Sequence, residues 1–151
     1  MAFVIRDAVP ADLAALRDVY RRASLSNEGD RMNLLANPDV LEWEGLGGED
    51  RRTRVAATAG GRIAGFATSV PAGDALELDD LFVDPDWMRQ GAARALVLDV
   101  VAHARVQGIG RIEVTANQHA LVFYRKAGFV VDHEVQTRFG PGLRMHLGVA
   151  P

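Results

Sequence analysis

The sequence predicts one α/β domain, built on a central mixed, mostly antiparallel sheet that carries a β-bulged strand and is flanked by helices. Three observations point there. Strand-like and helix-like segments follow one another along the 151 residues as strand, two helices, three strands, helix, strand, helix and two strands. Two runs of small and β-branched residues meet at Gly60-Gly61, a hairpin signal that makes neighbouring strands antiparallel. A long apolar-striped segment between Asp84-Pro85 and Gly108 supplies the helical crossover that a mixed sheet needs.

Taken in order, Val4 and Ile5 form a short first strand, and Leu13, Leu16, Val19 and Tyr20 fall at helical spacing behind Pro10, which suits a first turn. Asn27 caps a second short helix carrying Met32, Leu34 and Leu35, which ends before Asn37-Pro38. The acidic, glycine-rich stretch from Val40 to Asp50, with Trp43 in its middle, reads as a mobile loop. The hairpin then runs from Thr53 to Val70. Its glycines are no Walker loop, because Gly65 is followed by Phe66 and Ala67 rather than by lysine and a hydroxyl residue.

The strand from Ala75 to Asp84 holds an irregularity. Leu76 and Leu78 share one parity, while Leu81 and Val83 share the other. One inserted residue near Asp79-Asp80, a β-bulge, reconciles them; a strand buried on both faces around Phe82 is the alternative. The helix from Gly91 to Val106 follows, with Ala93, Leu96, Val97, Val100, Val101 and Ala104 on one stripe and His103 on an exposed position. Gly108 and Gly110 stop it. Ile112 and Val114 alternate with Arg111, Glu113 and Thr115 in the next strand, and Asn117 caps a short helix that ends at Gly128. Two last strands, about Phe129 to Arg138 and Leu143 to Val149, are separated by a turn at Gly140-Pro141-Gly142.

Composition narrows the function classes. Seventeen basic against twenty acidic residues give a net charge of -3, which argues against a nucleic-acid partner held mainly through its phosphates. Without cysteine there is no disulfide, no thiolate metal site and no enzyme thiol for a covalent intermediate. The four histidines show no ligand-like spacing with a carboxylate, so no metal is expected. The start of the chain has no apolar stretch behind a basic segment, and no apolar run reaches the ~18 residues of a membrane span. The expectation is a cytoplasmic protein with no membrane partner.

The segment from Leu78 to Val97 couples the bulged strand to a helix whose first turn is made of small residues. A helix N-terminus presents unpaired N–H groups and partial positive charge, which suits a phosphate. Gly91, Ala92 and Ala93 let a phosphate come close to the backbone, and Arg89, Gln90 and Arg94 flank them. Close packing of the helix on the sheet explains the same small residues equally well.

This segment resembles the acetyl-CoA motif of the GNAT N-acetyltransferase superfamily: strand, Val-x-Pro, then Gln/Arg-x-x-Gly-x-Gly/Ala. Val83-Asp84-Pro85 matches, and Gly91 and Ala93 fill the glycine and small-residue positions. Met88 stands where that pattern has Gln or Arg. A second segment, Asn117 to Phe129, resembles the family's Asn-x-x-Ala-x-x-Phe-Tyr-x-x-x-Gly-Phe signature, with Asn117, Ala120, Phe123, Tyr124, Gly128 and Phe129 in register. The two matches come in the family's order and cover essentially the whole chain.

The resemblance implies a GNAT-like fold and transfer of an acetyl group from acetyl-CoA to an amine, by direct attack in a ternary complex. The missing thiol agrees with direct attack. Tyr124 aligns with the family's general acid. Glu77 and Glu113 both resemble base positions, and the sequence does not choose between them; Asp79 and Asp80 rank lower because one of them is consumed by the bulge. Leu81, Phe82 and Val83 would offer backbone groups to the pantetheine arm. Asn117 either touches the cofactor or only caps its helix. The acceptor, a small-molecule amine or a peptide N-terminus, would meet the first two helices, the loop after them and the last hairpin. Those segments supply Glu28, Asp30, Glu42, Glu44, Glu49, Asp50 and Trp43, a set that favours a cationic amine, although nearby arginines dilute it. The C-terminal strands can pair within one chain or build a homodimer. A catalytically weak acyl-CoA sensor is the competing reading, raised by Met88 and by the unresolved base.

Overall fold

A computed structural model describes residues 3–26, 28–41, 43, 45–48 and 50–151, without the side chains of 28–30, 33 and 40. Seven strands form one sheet: β1 (Val4–Asp7), β2 (Arg52–Ala57), β3 (Ile63–Ala72), β4 (Ala75–Val83), β5 (Arg111–Ala116), β6 (Val130–Thr137) and β7 (Gly140–Gly148). Their order across the sheet is β1-β2-β3-β4-β5-β7-β6, and among the described residues only β4 and β5 run parallel. Helices α1 (Leu13–Leu25) and α2 (Glu28–Ala36) precede β2. Helix α3 (Ala92–Val106) connects β4 to β5, and α4 (Leu121–Lys126) connects β5 to β6.

Each face of the sheet buries its own apolar cluster. Leu16 and Val19 of α1 pack with Trp43, Val55 and Phe66 on one side. On the other, Leu96, Val97, Val100 and Ala104 of α3 cover Leu76, Leu78, Ile112, Val114 and Met145. Each fully buried Leu, Val or Phe contributes about 1.5–3 kcal/mol, so these two stripes hold the helices on the sheet. A polar tie sets the start of α1: Arg6 donates to both oxygens of Asp12, at 2.8 and 3.1 Å, and the same carboxylate accepts the Val9 N–H at 2.9 Å. That arrangement holds the Asp12 carboxyl below the usual carboxylate range, first through the hydrogen bond from Arg6.

The bulge in β4 is present. Thr68 of β3 faces Asp80 and the next residue, Ser69, faces Leu78, so Asp79 is the extra residue. Leu76 and Leu78 therefore point toward α3, as do Leu81 and Val83 beyond the bulge, while Phe82 turns to the α1 side and meets Tyr20 edge-on at 4.8 Å. Gly65 of β3 is needed here for a different reason. A Cβ at that position would sit 2.6 Å from the Phe82 carbonyl oxygen, so β3 and β4 can lie this close only with glycine.

Four sequence expectations are corrected in detail. The last turn is the two-residue loop Arg138-Phe139, with Gly140, Pro141 and Gly142 inside β7, because Thr137 and Gly140 close the hairpin. Pro141 is tolerated there because β7 pairs with β5 only from Leu143 onward, so no central ladder needs its missing N–H. On α3 Ala92 is buried, whereas Ala93 and Val101 are half-buried. His103 is half-buried too, and burial lowers its pKa, with the Arg52 charge adding to the effect. Finally, Trp43, placed by the sequence in the middle of a mobile loop, has its side chain in the core, 4% exposed and edge-on to Phe66 at 4.9 Å. The expected cap Asn27 lies outside the described residues.

Candidate active site

The bulged strand leaves its parallel neighbour early. β4 pairs with β5 only at Leu76↔Ile112 and Glu77↔Glu113, yet it stays paired to β3 as far as Val83. Beyond Glu77 the edge of β4 that faces β5 has no strand partner among the described residues. Along Leu78 to Val83 this opens a wedge whose walls are backbone N–H and C=O groups, and such groups need partners when they are covered. Leu81, Phe82 and Val83, proposed from sequence to offer backbone groups, lie along it and are half-buried.

The wedge leads to the start of α3. Asp84 closes the strand, is 4% exposed, and accepts the Asp86 N–H at 2.9 Å. Arg22 of α1 donates to Asp84 at 2.7 Å and to Asp86 at 3.1 Å, which fixes this connection to α1. Two left-handed residues then reverse the chain: Arg89 at φ 62° and Gly91 at φ 93°. A non-glycine residue there stores about 1–3 kcal/mol of strain, and such strain clusters at ligand clamps. Gly91 is the N-cap of α3, and a Cβ on it would meet nothing within 4 Å. The free N–H groups of the first turn therefore face open space flanked by exposed Arg89, Gln90 and Arg94, with Ala92 and Ala93 packed below.

Glu77 and Glu113 stand directly opposite one another, and both are held by one residue that the sequence reading missed. Arg144 of β7 donates to Glu77 at 2.8 and 3.0 Å, to Glu113 at 2.8 Å and to the Thr115 hydroxyl at 3.0 Å. The three charged side chains are 22%, 21% and 28% exposed for Arg144, Glu77 and Glu113 respectively. This pairing pushes the Arg144 guanidinium upward, mainly through its hydrogen bond to Glu77. Along the same face Arg111 pairs with Glu113 and Asp132, and Asp132 lies 2.8 Å from the His146 Nδ1. No spacing rule links residues on three different strands, so Arg144 carried no signal.

Asp79 and Asp80 are separated by the bulge. Asp79 is half-exposed and pairs with Arg51 at 2.8 Å. Asp80 turns to the α1 side, is 12% exposed, and its Oδ2 accepts the Trp43 indole N–H at 3.0 Å and Arg51 Nη2 at 3.0 Å. Burial raises its pKa despite hydrogen bonds from Trp43 and Thr68 and the nearby Arg51 charge.

Tyr124 lies on the opposite face, 6% exposed, with its ring edge-on to Phe123 at 5.3 Å and to Phe129 at 5.2 Å. Burial pushes its phenol well above the usual tyrosine range. Among the described residues its hydroxyl has no hydrogen-bond partner. Tyr124 and the glutamates thus lie on opposite faces of the sheet. The Asn117 side chain accepts the Ala120 N–H at 2.9 Å and caps the turn before α4. Of the acceptor-side carboxylates expected from sequence, Glu42, Glu44, Glu49 and the side chains of Glu28 and Asp30 lie outside the described residues, and Asp50 is exposed. The last hairpin does reach that region: Arg138 donates to Asp39 at 2.9 Å and to Asn37 at 3.1 Å.

Comparison with known proteins places these features in context. The acetyltransferase (GNAT) domain model matches residues 35–146. Serotonin N-acetyltransferase 2, chloroplastic, of Oryza sativa subsp. japonica is 28% identical over 133 residues, covering 85% of this chain and 62% of the relative. The ribosomal protein bS18 alanine N-acetyltransferase of Escherichia coli strain K12 is 35% identical over 75 residues, 48% of this chain and 51% of that one. The chain thus spans about half to three-fifths of the length of the curated relatives it matches. Among solved structures, the Escherichia coli ribosomal-protein-S18-alanine N-acetyltransferase aligns with a TM-score of 0.75 at 22% identity, over 99% of this chain and 95% of that one. A GNAT superfamily phosphinothricin acetyltransferase from Sinorhizobium meliloti, solved with acetyl-CoA, aligns at 0.73 and 19% identity over 99% and 90% of the two chains.

Proposed function

We propose that this chain, which belongs to the GNAT acetyltransferase family, moves an acetyl group from acetyl-CoA to a primary amine by direct attack in a ternary complex. The observation that carries the reading is the wedge between β4 and β5, continuous with the bare N-terminus of α3. An extended pantetheine arm can pair with Leu81 to Val83 as a missing strand would, and a pyrophosphate fits the N–H groups behind Gly91. The residues present therefore fit the cofactor. When bound, it supplies an acetyl thioester that an amine can attack.

Arg89, Gln90 and Arg94 flank the pyrophosphate, and Met88, exposed on the loop, offers only its backbone there. Tyr124 holds its proton at neutral pH and, with the cofactor bound, would donate a hydrogen bond to the departing sulfur. Its raised pKa makes it a weaker acid than a thiol, so hydrogen bonding and not full proton transfer is its contribution. Two carboxylates on one guanidinium leave the acceptor side of the sheet net negative at Glu77, Glu113 and Arg144, which favours a cationic amine. Relatives named for serotonin and for an alanine of ribosomal protein bS18 support an acceptor that is a small-molecule amine or a peptide N-terminus.

Thiol release measured against a panel of amines and N-terminal peptides tests this. Turnover on at least one of them is expected, with Tyr124→Phe lowering kcat by about 10–100-fold, the range for a lost hydrogen bond to developing charge. Acetyl-CoA binding without turnover on any acceptor would leave the sensor reading standing instead.

A further inference from the structure

We propose that Arg51 is a positioning residue for acetyl-CoA: it clamps the two aspartates of the β4 bulge and so holds open the wedge that receives the cofactor. This rests on the acetyltransferase reading above. In an ordinary strand adjacent side chains point to opposite faces, so one guanidinium cannot reach both. Arg51 does reach both. Its Nη1 donates to Asp79 Oδ2 at 2.8 Å and its Nη2 to Asp80 Oδ2 at 3.0 Å. That fork fits β4 while Asp79 is the extra residue, because two neighbouring carboxylates then share the α1 side. An interaction that one conformation makes and another cannot shifts the balance toward the first.

The clamp answers a cost that the apolar pattern creates. Leu78 and Leu81 both point toward α3, which leaves Asp79 and Asp80 as neighbours on the other side. Like charges this close oppose each other, and Asp79 disfavours the charged form of Asp80. Asp80 is only 12% exposed, so solvent screens little of that repulsion. Arg51, half-buried, is the cation that both carboxylates share. Trp43 adds a second tie, donating its indole N–H to Asp80 Oδ2 at 3.0 Å from a ring packed on Phe66 at 4.9 Å. Apart from Thr68 of β3, the side chains that hold the bulge therefore come from the segment between α2 and β2.

The bulge in turn decides what the cofactor meets. Pairing of β4 with β5 ends at Glu77, just before Asp79. Beyond the bulge the alternation of backbone groups is shifted by one residue, which sets the N–H and C=O groups of Leu81 to Val83 that face the wedge. A β4 that slips by one residue offers the pantetheine arm the wrong set and turns Phe82 away from Tyr20, its edge-on partner at 4.8 Å. Arg51 thus acts through β4 and not by contact with the cofactor.

Calorimetric titration of the full chain with acetyl-CoA, paired with a thermal melt of each variant, tests the clamp. Arg51→Met keeps the stem and removes the fork; its Kd should rise about 5–10-fold, as the fraction of chains in the bulged form falls. Arg6→Met breaks a comparable pair, with Asp12 at the start of α1, so it should lower the melting temperature and leave Kd unchanged. Asp79→Ala, at a half-exposed position, should weaken binding in the wild type because part of the clamp is lost. In the Arg51→Met background the same change should restore part of the affinity, since it removes the repulsion on Asp80. Loss of packing gives no such reversal of sign. Wild-type Kd in Arg51→Met, an equal rise of Kd in Arg6→Met, or additive losses in the double variant overturn the clamp and leave the acetyltransferase reading intact. Should Arg51→Met not fold, Asp79→Ala decides alone, and a wild-type Kd there overturns the clamp. A wild type that binds no acetyl-CoA overturns both.

Discussion

Replacing Gly91 by glutamate is expected to weaken acetyl-CoA binding by at least about 100-fold, or ~2.7 kcal/mol, while the protein still folds. The two halves of that expectation have separate causes. At φ 93° a side chain is strained, and the strain costs about 1–2 kcal/mol, a fraction of the stability of a domain this size. No atom lies within 4 Å of the new Cβ, so no clash is added in the free protein. The cofactor side has no such tolerance. The new carboxylate stands at the N-terminus of α3, where the N–H groups would otherwise receive a pyrophosphate, and like charge opposes like charge in that space. Calorimetric titration with acetyl-CoA, paired with a thermal melt, separates the effects. Wild-type affinity in Gly91→Glu would move the cofactor away from α3 altogether.

Arg144→Leu should be the most damaging single change on the acceptor face. It removes the one cation shared by Glu77 and Glu113, which stand opposite each other in the β4–β5 register. Breaking a fully buried pair costs about 3–5 kcal/mol and an exposed one below about 1 kcal/mol, so side chains that keep roughly a quarter of their exposure should lose about 1–3 kcal/mol. The sign of the pH dependence follows from which charges remain. Acid removes the carboxylate charges that the guanidinium pairs with, so the variant and the wild type should differ less at pH ~3 than at neutral pH. As pH rises toward 7 the leucine variant keeps Glu77 without its cation and Glu113 with only Arg111, 3.4 Å away, so its deficit should grow. In the wild type the raised pKa of Arg144 places the loss of this pairing far above neutral pH. Denaturant midpoints at pH ~3 and 7 check the trend, and a deficit constant with pH would mean that Arg144 acts through packing alone.

The fold was readable because each element had a local cause. Leu16 and Val19 recur at helical spacing, Ile112 and Val114 alternate, and the change of parity between Leu78 and Leu81 revealed the bulge before any partner strand was known. The turn into α3 was legible for the same reason, since the positions from Val83 to Arg94 form one continuous stretch of chain. The long-range contacts of Glu77 and Asp80 were not. Arg144 reaches Glu77 across 67 residues of sequence, and Trp43 reaches Asp80 across 37. Contacts of that span depend on strand order, which no periodicity encodes. Trp43 shows this most plainly: its glycine-rich, acidic neighbours suggested a mobile loop and gave no sign of burial, yet the indole sits in the core because its ring finds Phe66 and its N–H finds a carboxylate that needs a partner. Asp80 was ranked low on the reasoning that the bulge would consume one of the two aspartates. It took Asp79.

The gap between β4 and β5 also bears on the thermodynamics of the whole domain. A sheet with an open seam lacks hydrogen bonds that its own sequence does not supply, and α3 is anchored at the far end of that seam. Any molecule that completes the ladder binds the folded chain and not the unfolded one. At a concentration 100-fold above its dissociation constant it adds about 2.7 kcal/mol to the free energy of unfolding, a sizeable share of the ~5–15 kcal/mol typical of a folded domain. The loaded and empty forms should therefore differ in lifetime as well as in chemistry, with supply of the acyl donor setting how much of the chain survives.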